Sequence, residues 1–223
     1  SNAGYDVKYS YQDYLKGDGH AVLQAKDTIL EDNFDGDVIV AWGDMAVLNF
    51  KTALWLVMIH QALGSVPFSI AATAKKSPYA PIVENDHHRI LGSNKGLEIE
   101  FGRDDVGLFI GRAKDVFYAL DQFPCDNEGN FFNPYRSLPN KKGEMNFVQI
   151  SGTFAKKGQE VVAPPLADFR EYQGVNTPEE QKIAGKYRQE MNKEAAEAIA
   201  SAKALWEVLE ILTVQNASLP VAK

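Results

Sequence analysis

Two kinds of apolar pattern alternate along the first third of the chain. The run DVIVAW (37–42) is continuously apolar after its aspartate, which predicts a strand covered on both faces, as in a parallel sheet. Residues 19–33 and 49–64 place apolar side chains at helical spacing. With further strands predicted over 4–12 and 66–75, this order indicates an α/β domain with a mostly parallel, mixed sheet.

The second half of the chain predicts a hairpin, a loop region and a long helix. Residues 81–93 predict the hairpin, with Asn85–His88 as its turn, and residues 124–143 are rich in Pro, Asn and Gly. Residues 178–214 predict a helix that begins at Pro178. We therefore expect an α/β domain over 4–177 followed by a C-terminal helical segment over 178–214.

Composition narrows the classes of function. A formal net charge of -7 and a pI near 5.2 disfavour a general nucleic-acid binder, which needs a basic face. We predict no membrane span, because no apolar run reaches the length that one requires. The single cysteine, Cys125, excludes an intramolecular disulfide, so we expect a reducing compartment, the cytoplasm.

A single carboxylate follows the predicted strand 37–42. In open parallel sheets, ligands bind beyond the carboxyl ends of strands, and Asp44 stands at such an end. One reading makes Asp44 a ligand of Mg²⁺, with substrate phosphates completing the coordination. The other makes Asp44 a cap of the turn that follows, and position alone leaves both open.

Two further stretches are candidates for the same site. In QDYLKGDGHA (12–21), Gly17 and Gly19 would let the backbone approach a ligand at a helix N-terminus, although an ordinary tight turn has the same composition. In GVNTPEE (174–180), the side-chain oxygen of Asn176 could bind a metal. Alternatively, Asn176 or Thr177 is simply the N-cap of the helix.

Six short motifs occur in one order along roughly residues 5 to 180 and resemble a known family. They are QDYLKGDGHA, VIVAWGDMAVL, SPYAPIVENDHHRI, DVGLFIG, GEMNFVQI and YQGVNTPEE. Together they resemble the sugar-1-phosphate nucleotidylyltransferases, in particular the uridylyltransferase domain of the bacterial N-acetylglucosamine-1-phosphate uridylyltransferases. The resemblance implies the Rossmann-like fold of nucleotide-diphospho-sugar transferases.

The resemblance implies metal-binding and nucleotide-binding residues. Asp44 matches the metal-binding aspartate of the family and Asn176 its second metal ligand, so Mg²⁺ is the implied cofactor and both residues are implied catalytic residues. Gln12, Gly17 and Asp18 fall in the loop that holds the nucleotide base. Asp18 replaces the threonine usual in the family, so the choice of base is not implied.

The resemblance also implies a sugar-phosphate site that has diverged. Tyr79 and Ala80 fall on a family motif whose glycine amide contacts the sugar, with alanine here in place of glycine. Asp105 replaces an asparagine that contacts the sugar, and Glu144 is retained. N-acetylglucosamine is therefore not implied as the substrate.

The family's glycine-rich triphosphate-binding loop has no counterpart in this sequence. We therefore expect a fold truncated at its N-terminus, and we expect this chain alone to be inactive. A missing central strand would expose an apolar sheet edge, and that edge or the C-terminal helix would support a homodimer.

The implied reaction is nucleotidyl transfer. The phosphate oxygen of a sugar 1-phosphate attacks the α-phosphorus of a nucleoside triphosphate, and pyrophosphate leaves. The alternative is a non-catalytic module of the same fold, kept for ligand sensing or subunit assembly.

Overall fold

The structure is a computed structural model that describes residues 7–64, 66–94 and 97–217, with side chains described except at 32, 141 and 204–217. It divides into two compact units, of which the first ends at Gln173 and the second begins at Gly174. The predicted domain boundary after residue 177 stays a prediction.

The elements of the first unit are short helices and strands in alternation. Its α-helices are α1 (Asp18–Leu23), α2 (Lys26–Ile29), α3 (Phe50–Leu63), α4 (Ala113–Asp121) and α5 (Ile150–Lys156). Its strands are β1 (Asp37–Ala41), β2 (Phe68–Lys76), β3 (Ile82–Glu84), β4 (Ile90–Ser93), β5 (Phe101–Arg112) and β6 (Val161–Val162). 3₁₀ segments lie at Glu31–Asn33, Lys141–Gly143, Phe147–Gln149 and Phe169–Tyr172.

The second unit contains the long helix α6 (Pro178–Ala217), which confirms the helix predicted from Pro178 onwards. None of the described helices is long and apolar enough to cross a membrane.

The main sheet is mixed, and three of its four strands run in one direction. Its order is β1-β5-β2-β6, with β5 antiparallel to both of its neighbours and β6 parallel to β2. β1, β2 and β6 therefore share one direction, and the long strand β5 is reversed between them. This arrangement, with helices on the sheet and the long C-terminal helix, confirms the predicted Rossmann-like mixed α/β class.

The hairpin predicted over 81–93 is confirmed. β3 and β4 pair antiparallel, and the His88 amide donates to the Asn85 carbonyl at 2.9 Å to close the turn. The Asn85 side-chain oxygen accepts the amides of His87 and Arg89, both at 3.0 Å. The turn is therefore built by the asparagine, which leaves both histidines exposed.

Two elements at the N-terminal end differ from the prediction. The strand predicted over 4–12 is wrong for residues 7–12, which form no strand, and residues 4–6 lie outside the described part. Tyrosine alternation favours a strand only where another strand is available to pair, and none of the described strands pairs with 7–12. The helix predicted over 19–33 is broken into α1, α2 and a 3₁₀ turn, although its apolar residues still pack on the core.

The apolar run of β1 predicted a strand covered on both faces, and this prediction is wrong. It is the terminal strand in the sheet order, and its side chains alternate between exposed and half-buried. Ile39, at its middle, is 55% exposed. An apolar run predicts burial on both faces only for an internal strand, and among the described residues β1 pairs on one edge alone.

Alternation along β2 and β5 divides the core between the two faces of the sheet. Phe68, Ile70 and Phe109 belong to a cluster with residues of α4 and α5. Leu108 and Ile110 belong to a second cluster with Leu56 of α3. Successive strand residues point to opposite faces, so β5 supplies apolar side chains to both layers.

Helix α3 is capped at both ends, and a buried glutamate fixes its start. The Asn49 side chain accepts the Lys51 amide at 2.9 Å, and Gly64 ends the helix with a φ of 57°. Glu171, only 2% exposed, accepts the Asn49 amide and the Thr52 hydroxyl, both at 2.8 Å. It also accepts the Asp168 amide at 3.0 Å. The carboxylate therefore joins the start of α3 to the 3₁₀ turn at Phe169–Tyr172.

Replacing Glu171 by glutamine is expected to lower the free energy of unfolding by about 2–4 kcal/mol, because an amide NH₂ would face one of three buried donors. Urea unfolding followed by circular dichroism measures the loss. Glu160→Gln is the control, since Glu160 is exposed. Equal stability of the two variants would show that the buried carboxylate does not hold α3.

Candidate functional site

The predicted site residues of the first unit gather around one end of the main sheet. The chain leaves β1 at Ala41, and the Trp42 amide then donates to the Gly107 carbonyl at 2.8 Å. Gly107 has a φ of +69°, and a Cβ atom there would lie 2.2 Å from the Trp42 ring. Only glycine permits this approach, which keeps the segment after β1 beside β5.

Asp44 is exposed, and its carboxylate makes no hydrogen bond or ion pair with the described residues. Its carbonyl oxygen, not its side chain, accepts the Ala46 amide at 3.0 Å. The N-cap of the following helix is Asn49. The structure therefore does not show the capping alternative, and the carboxylate is left facing solvent at the carboxyl end of β1.

The glycine loop packs against the chain near Glu144. Gly17 has a φ of +95°, and a Cβ atom there would lie 2.4 Å from the Met145 carbonyl oxygen. The Met145 amide donates to the Lys16 carbonyl at 2.8 Å, and the Met145 carbonyl accepts the Gly19 amide at 2.9 Å. The glycines thus allow two backbones to lie side by side, and a ligand-binding role for them stays a prediction.

The side chains predicted to bind the nucleotide are engaged within the protein. The Gln12 amide donates to the Gly17 carbonyl at 3.0 Å and lies 2.8 Å from the His20 ring. One oxygen of Asp18 accepts the amides of Gly19 and Phe147, both at 2.7 Å. Asp18 therefore ties this loop to the segment that follows Glu144, a structural role that the sequence did not predict.

Glu144 is half-buried, and its backbone carbonyl accepts the side-chain amide of Asn140 at 2.7 Å. Its carboxylate makes no hydrogen bond or ion pair with the described residues. The segment is thus fixed through its backbone, while the Glu144 carboxylate stays available.

The backbone of the predicted sugar segment is held by a residue that the motifs did not include. Asp104 accepts the Tyr79 amide at 2.5 Å and the Ala80 amide at 3.2 Å. The Tyr79 side chain is 60% exposed, whereas Ala80 is buried. The Ala80 amide, predicted to contact the sugar, is therefore already bonded to a carboxylate.

Asp105 lies next to Asp104 and has an unusual pKa. Burial of its carboxyl group raises the pKa to about 7, and the negative charges of Asp104 and Asp18 add to this effect. A hydrogen bond from the Gly107 amide, at 2.9 Å, opposes it. The charge of Asp18, on a separate segment, thus acts on Asp105 together with that of its neighbour on β5.

Asn176 lies in the second unit, just before α6. Thr177 and Glu180 cap this helix reciprocally: the Thr177 hydroxyl accepts the Glu180 amide at 3.2 Å, and the Glu180 carboxylate accepts the Thr177 amide at 2.9 Å. Glu180 also accepts the Asn176 amide at 2.7 Å. Thr177 is therefore the N-cap, and the exposed side chain of Asn176 bonds to none of the described residues.

The carboxylates of the described residues suit only one mode of magnesium binding. Among the described residues, no group of three or more His, Cys, Asp or Glu side chains is arranged to hold a metal ion. Mg²⁺ commonly uses one or two carboxylates and keeps water or substrate phosphate as its other ligands. The solvent-facing Asp44 carboxylate fits that mode, and its pairing with Asn176 stays a prediction.

A Ser-His-Asp arrangement with a buried serine and histidine also occurs, and sequence reasoning missed it. The His60 Nδ1 atom lies 2.8 Å from the Ser69 hydroxyl, and its Nε2 atom lies 3.6 Å from Asp37. Because Ser69 is fully buried, no substrate can reach its hydroxyl. The three side chains join α3, β1 and β2 and do not form a nucleophilic site.

Comparison with known proteins shows what the chain is similar to. No protein-family model matches the chain. The chain is 28% identical to the bifunctional protein GlmU of Lactobacillus gasseri over 174 residues, which cover 75% of this chain and 34% of that protein. It is 30% identical to GlmU of Latilactobacillus sakei over 175 residues (76% and 35%), and 28% identical to GlmU of Corynebacterium efficiens over 204 residues (89% and 38%).

This chain is a relative of the GlmU proteins. The predicted relationship to the sugar-1-phosphate nucleotidylyltransferase family is thereby confirmed. The chain spans about a third of the length of the curated relatives that it matches.

In this GlmU relative, the structure brings most of the predicted first-unit residues into two groups. Asp18 bonds to the segment after Glu144, and Asp104 joins Tyr79 and Ala80 to β5 beside Asp105. Asp104 was missed because no motif contains it. The adjacent pair Asp104-Asp105 could have indicated it. Neighbouring side chains of a strand point to opposite faces, so the two carboxylates were expected to have different partners.

Replacing Asp105 by asparagine is expected to stabilise the protein at high pH. The pKa of Asp105 is raised on folding, so its contribution to stability is complete below the unfolded pKa and is lost as pH rises through about 7. The advantage of the variant over the parent should grow by about 3 kcal/mol from pH 5 to pH 8, because from pH 5 up to about 7 Asp105 is ionised only in the unfolded state, and each pH unit is then worth about 1.4 kcal/mol.

Urea unfolding at both pH values measures this difference, and Asp86→Asn in the exposed hairpin turn is the control. An effect of Asp105→Asn that does not change with pH would show that Asp105 is ionised normally in the folded protein.

Proposed function

We propose that this chain takes part in magnesium-dependent nucleotidyl transfer from a nucleoside triphosphate to a sugar 1-phosphate, with release of pyrophosphate. Its relationship to the GlmU proteins supports this reaction class. The observation that carries the proposal is Asp44, an exposed carboxylate immediately beyond the carboxyl end of β1 to which none of the described residues bonds.

The proposed chemistry needs positioning and charge neutralisation more than acid–base catalysis. The nucleophile is a phosphate oxygen that is already an anion, so no side chain has to remove its proton. A new bond forms between this oxygen and the α-phosphorus as the bond to pyrophosphate breaks. Asp44 and Asn176 would hold Mg²⁺, which supplies positive charge beside the phosphates. Tyr79, Ala80, Asp105 and Glu144 would surround the sugar phosphate, and Gln12, Gly17 and Asp18 the base.

Replacing Asp44 by alanine is expected to reduce pyrophosphate release at least 100-fold, because the only protein carboxylate proposed for the cation is lost. The assay uses the full product of the gene with magnesium, a panel of nucleoside triphosphates and a panel of sugar 1-phosphates. Asp86→Ala is the matched control, since Asp86 is also exposed.

Unchanged turnover in Asp44→Ala would contradict the assignment of the metal site. No turnover by the parent protein with any substrate pair would contradict the proposed reaction. Running the same assay on this 223-residue chain tests the expectation that the chain alone is inactive.

The alternative function is a non-catalytic module that senses a ligand or supports assembly. One observation favours it: the Gln12 amide and the Ala80 backbone amide, both predicted to contact ligands, are bonded within the protein. Binding of a nucleotide or sugar phosphate by calorimetry, without turnover of any substrate pair, would favour this alternative.

We also propose that the edge of β1 with which none of the described strands pairs supports a homodimer. Ile39 on β1 and Trp55 and Met58 on α3 are about half exposed, which leaves apolar surface near the sheet. Ile39→Lys is expected to weaken self-association at least tenfold in sedimentation velocity experiments. Leu138→Lys is the control, because Leu138 is similarly exposed in a loop. A parent protein that stays monomeric at every concentration would contradict the dimer.

A further inference from the structure

Asp104 has a buried carboxylate that accepts hydrogen bonds mainly from backbone amides. It is 1% exposed and makes no ion pair among the described residues. Besides the amides of Tyr79 and Ala80, it accepts the Asp105 amide at 3.1 Å. Burying an ionised carboxylate is costly unless such hydrogen bonds compensate. Moving one of these backbone amides away would leave the Asp104 carboxylate without that compensation, so the hydrogen bonds hold the amides in place.

The segment that Asp104 holds is anchored from its other side as well. The Ser93 hydroxyl of β4 donates to the Ala80 carbonyl at 3.0 Å, and the Asn94 amide donates to the Pro81 carbonyl at 3.1 Å. Pro78 and Pro81 restrict the backbone on both sides of the Tyr79-Ala80 pair. The backbone of this pair is therefore immobilised, while the Tyr79 side chain is 60% exposed at the surface.

A tyrosine and a lysine complete the surroundings of Asp104. The pKa of Tyr172 is raised by burial and then by the negative charge of Asp104, while a backbone hydrogen bond from Tyr79 acts in the opposite direction. The ammonium group of Lys75 lies 3.4 Å from the centre of the Tyr172 ring. Burial lowers the pKa of Lys75, and the charge of Asp104 opposes that change. Asp104 thus acts on both the Tyr79 segment and the 3₁₀ turn that contains Tyr172.

We infer that Asp104 is the positioning residue of the sugar-phosphate site, and that it acts by holding the Tyr79-Ala80 backbone so that the exposed Tyr79 side chain meets the substrate. This inference rests on the proposed function. Asp104 does not itself touch the substrate, because its carboxylate is buried and engaged by backbone amides. The Ala80 amide does not contact the substrate, because it already donates to Asp104. Ala80 contributes by fixing the backbone next to Tyr79.

The experiment measures binding by isothermal titration calorimetry on the full product of the gene, in the presence of magnesium. The probes are glucose 1-phosphate, N-acetylglucosamine 1-phosphate and, separately, a nucleoside triphosphate. Asp104→Asn keeps one acceptor oxygen and loses the charge, whereas Asp104→Ala loses both. Asp86→Asn is the control, because Asp86 is exposed in the hairpin turn and belongs to neither proposed binding site.

The expected result is that Asp104→Asn weakens binding of the sugar 1-phosphate at least tenfold and Asp104→Ala weakens it further. Binding of the nucleoside triphosphate should change less than threefold in both variants. A purely structural role would weaken the binding of both ligands, so an equal loss of affinity for the two ligands would overturn the inference. Unchanged sugar-phosphate affinity in Asp104→Asn would overturn it as well.

Ser93→Ala keeps the test decisive if the Asp104 variants do not fold, because it releases the same segment from β4. It should weaken sugar-phosphate binding about threefold and leave nucleotide binding unchanged, and no change in either would overturn the inference. A parent protein that binds none of the sugar phosphates would instead overturn the proposed function and, with it, this extension. The two failures are therefore distinguishable.

Discussion

The reversed strand β5 is the constraint on which the rest of the first unit depends. It pairs with β1 from Arg112 to Leu108 and with β2 from Gly111 to Phe101. Its second half therefore lies inside the sheet and supplies apolar side chains to both layers. Because it runs against its neighbours, its first half lies beside the carboxyl ends of β1 and β2, and this half contains Asp104 and Asp105. One strand thus builds the core and delivers carboxylates to the candidate site.

Carboxylates that accept backbone amides join distant segments of this protein. Asp18 holds the amide of Phe147, Asp104 holds those of Tyr79 and Ala80, and Glu171 holds that of Asn49. Each such contact compensates part of the cost of taking a charged group out of water. Against this background Asp44 differs, because its carboxylate faces solvent and none of the described residues bonds to it. That contrast supports a ligand-binding role for Asp44 more strongly than its position in the sequence does.

Local signals predicted the elements that depend on local chemistry. Helix α3 followed from the helical spacing over 49–64, the hairpin from the turn at Asn85, and the start of α6 from Pro178. Local signals could not identify the neighbours of an element. The apolar run of β1 looked like an internal strand because periodicity does not report whether both edges are paired. The motifs likewise identified Tyr79 and Ala80, whereas their acceptor Asp104 lies more than twenty residues along the chain, on another strand.

The proposed function requires a sugar 1-phosphate to bind at the end of the sheet where Asp44, Tyr79 and Asp105 lie. The most direct test is to titrate the ¹⁵N-labelled protein with a sugar 1-phosphate and magnesium and to follow each backbone amide by NMR. Concentration-dependent shifts are expected for residues 42–46, 79–80 and 104–107, with none in the hairpin turn 85–88. Shifts confined to other surfaces, or no shifts at saturating ligand, would contradict the proposed function.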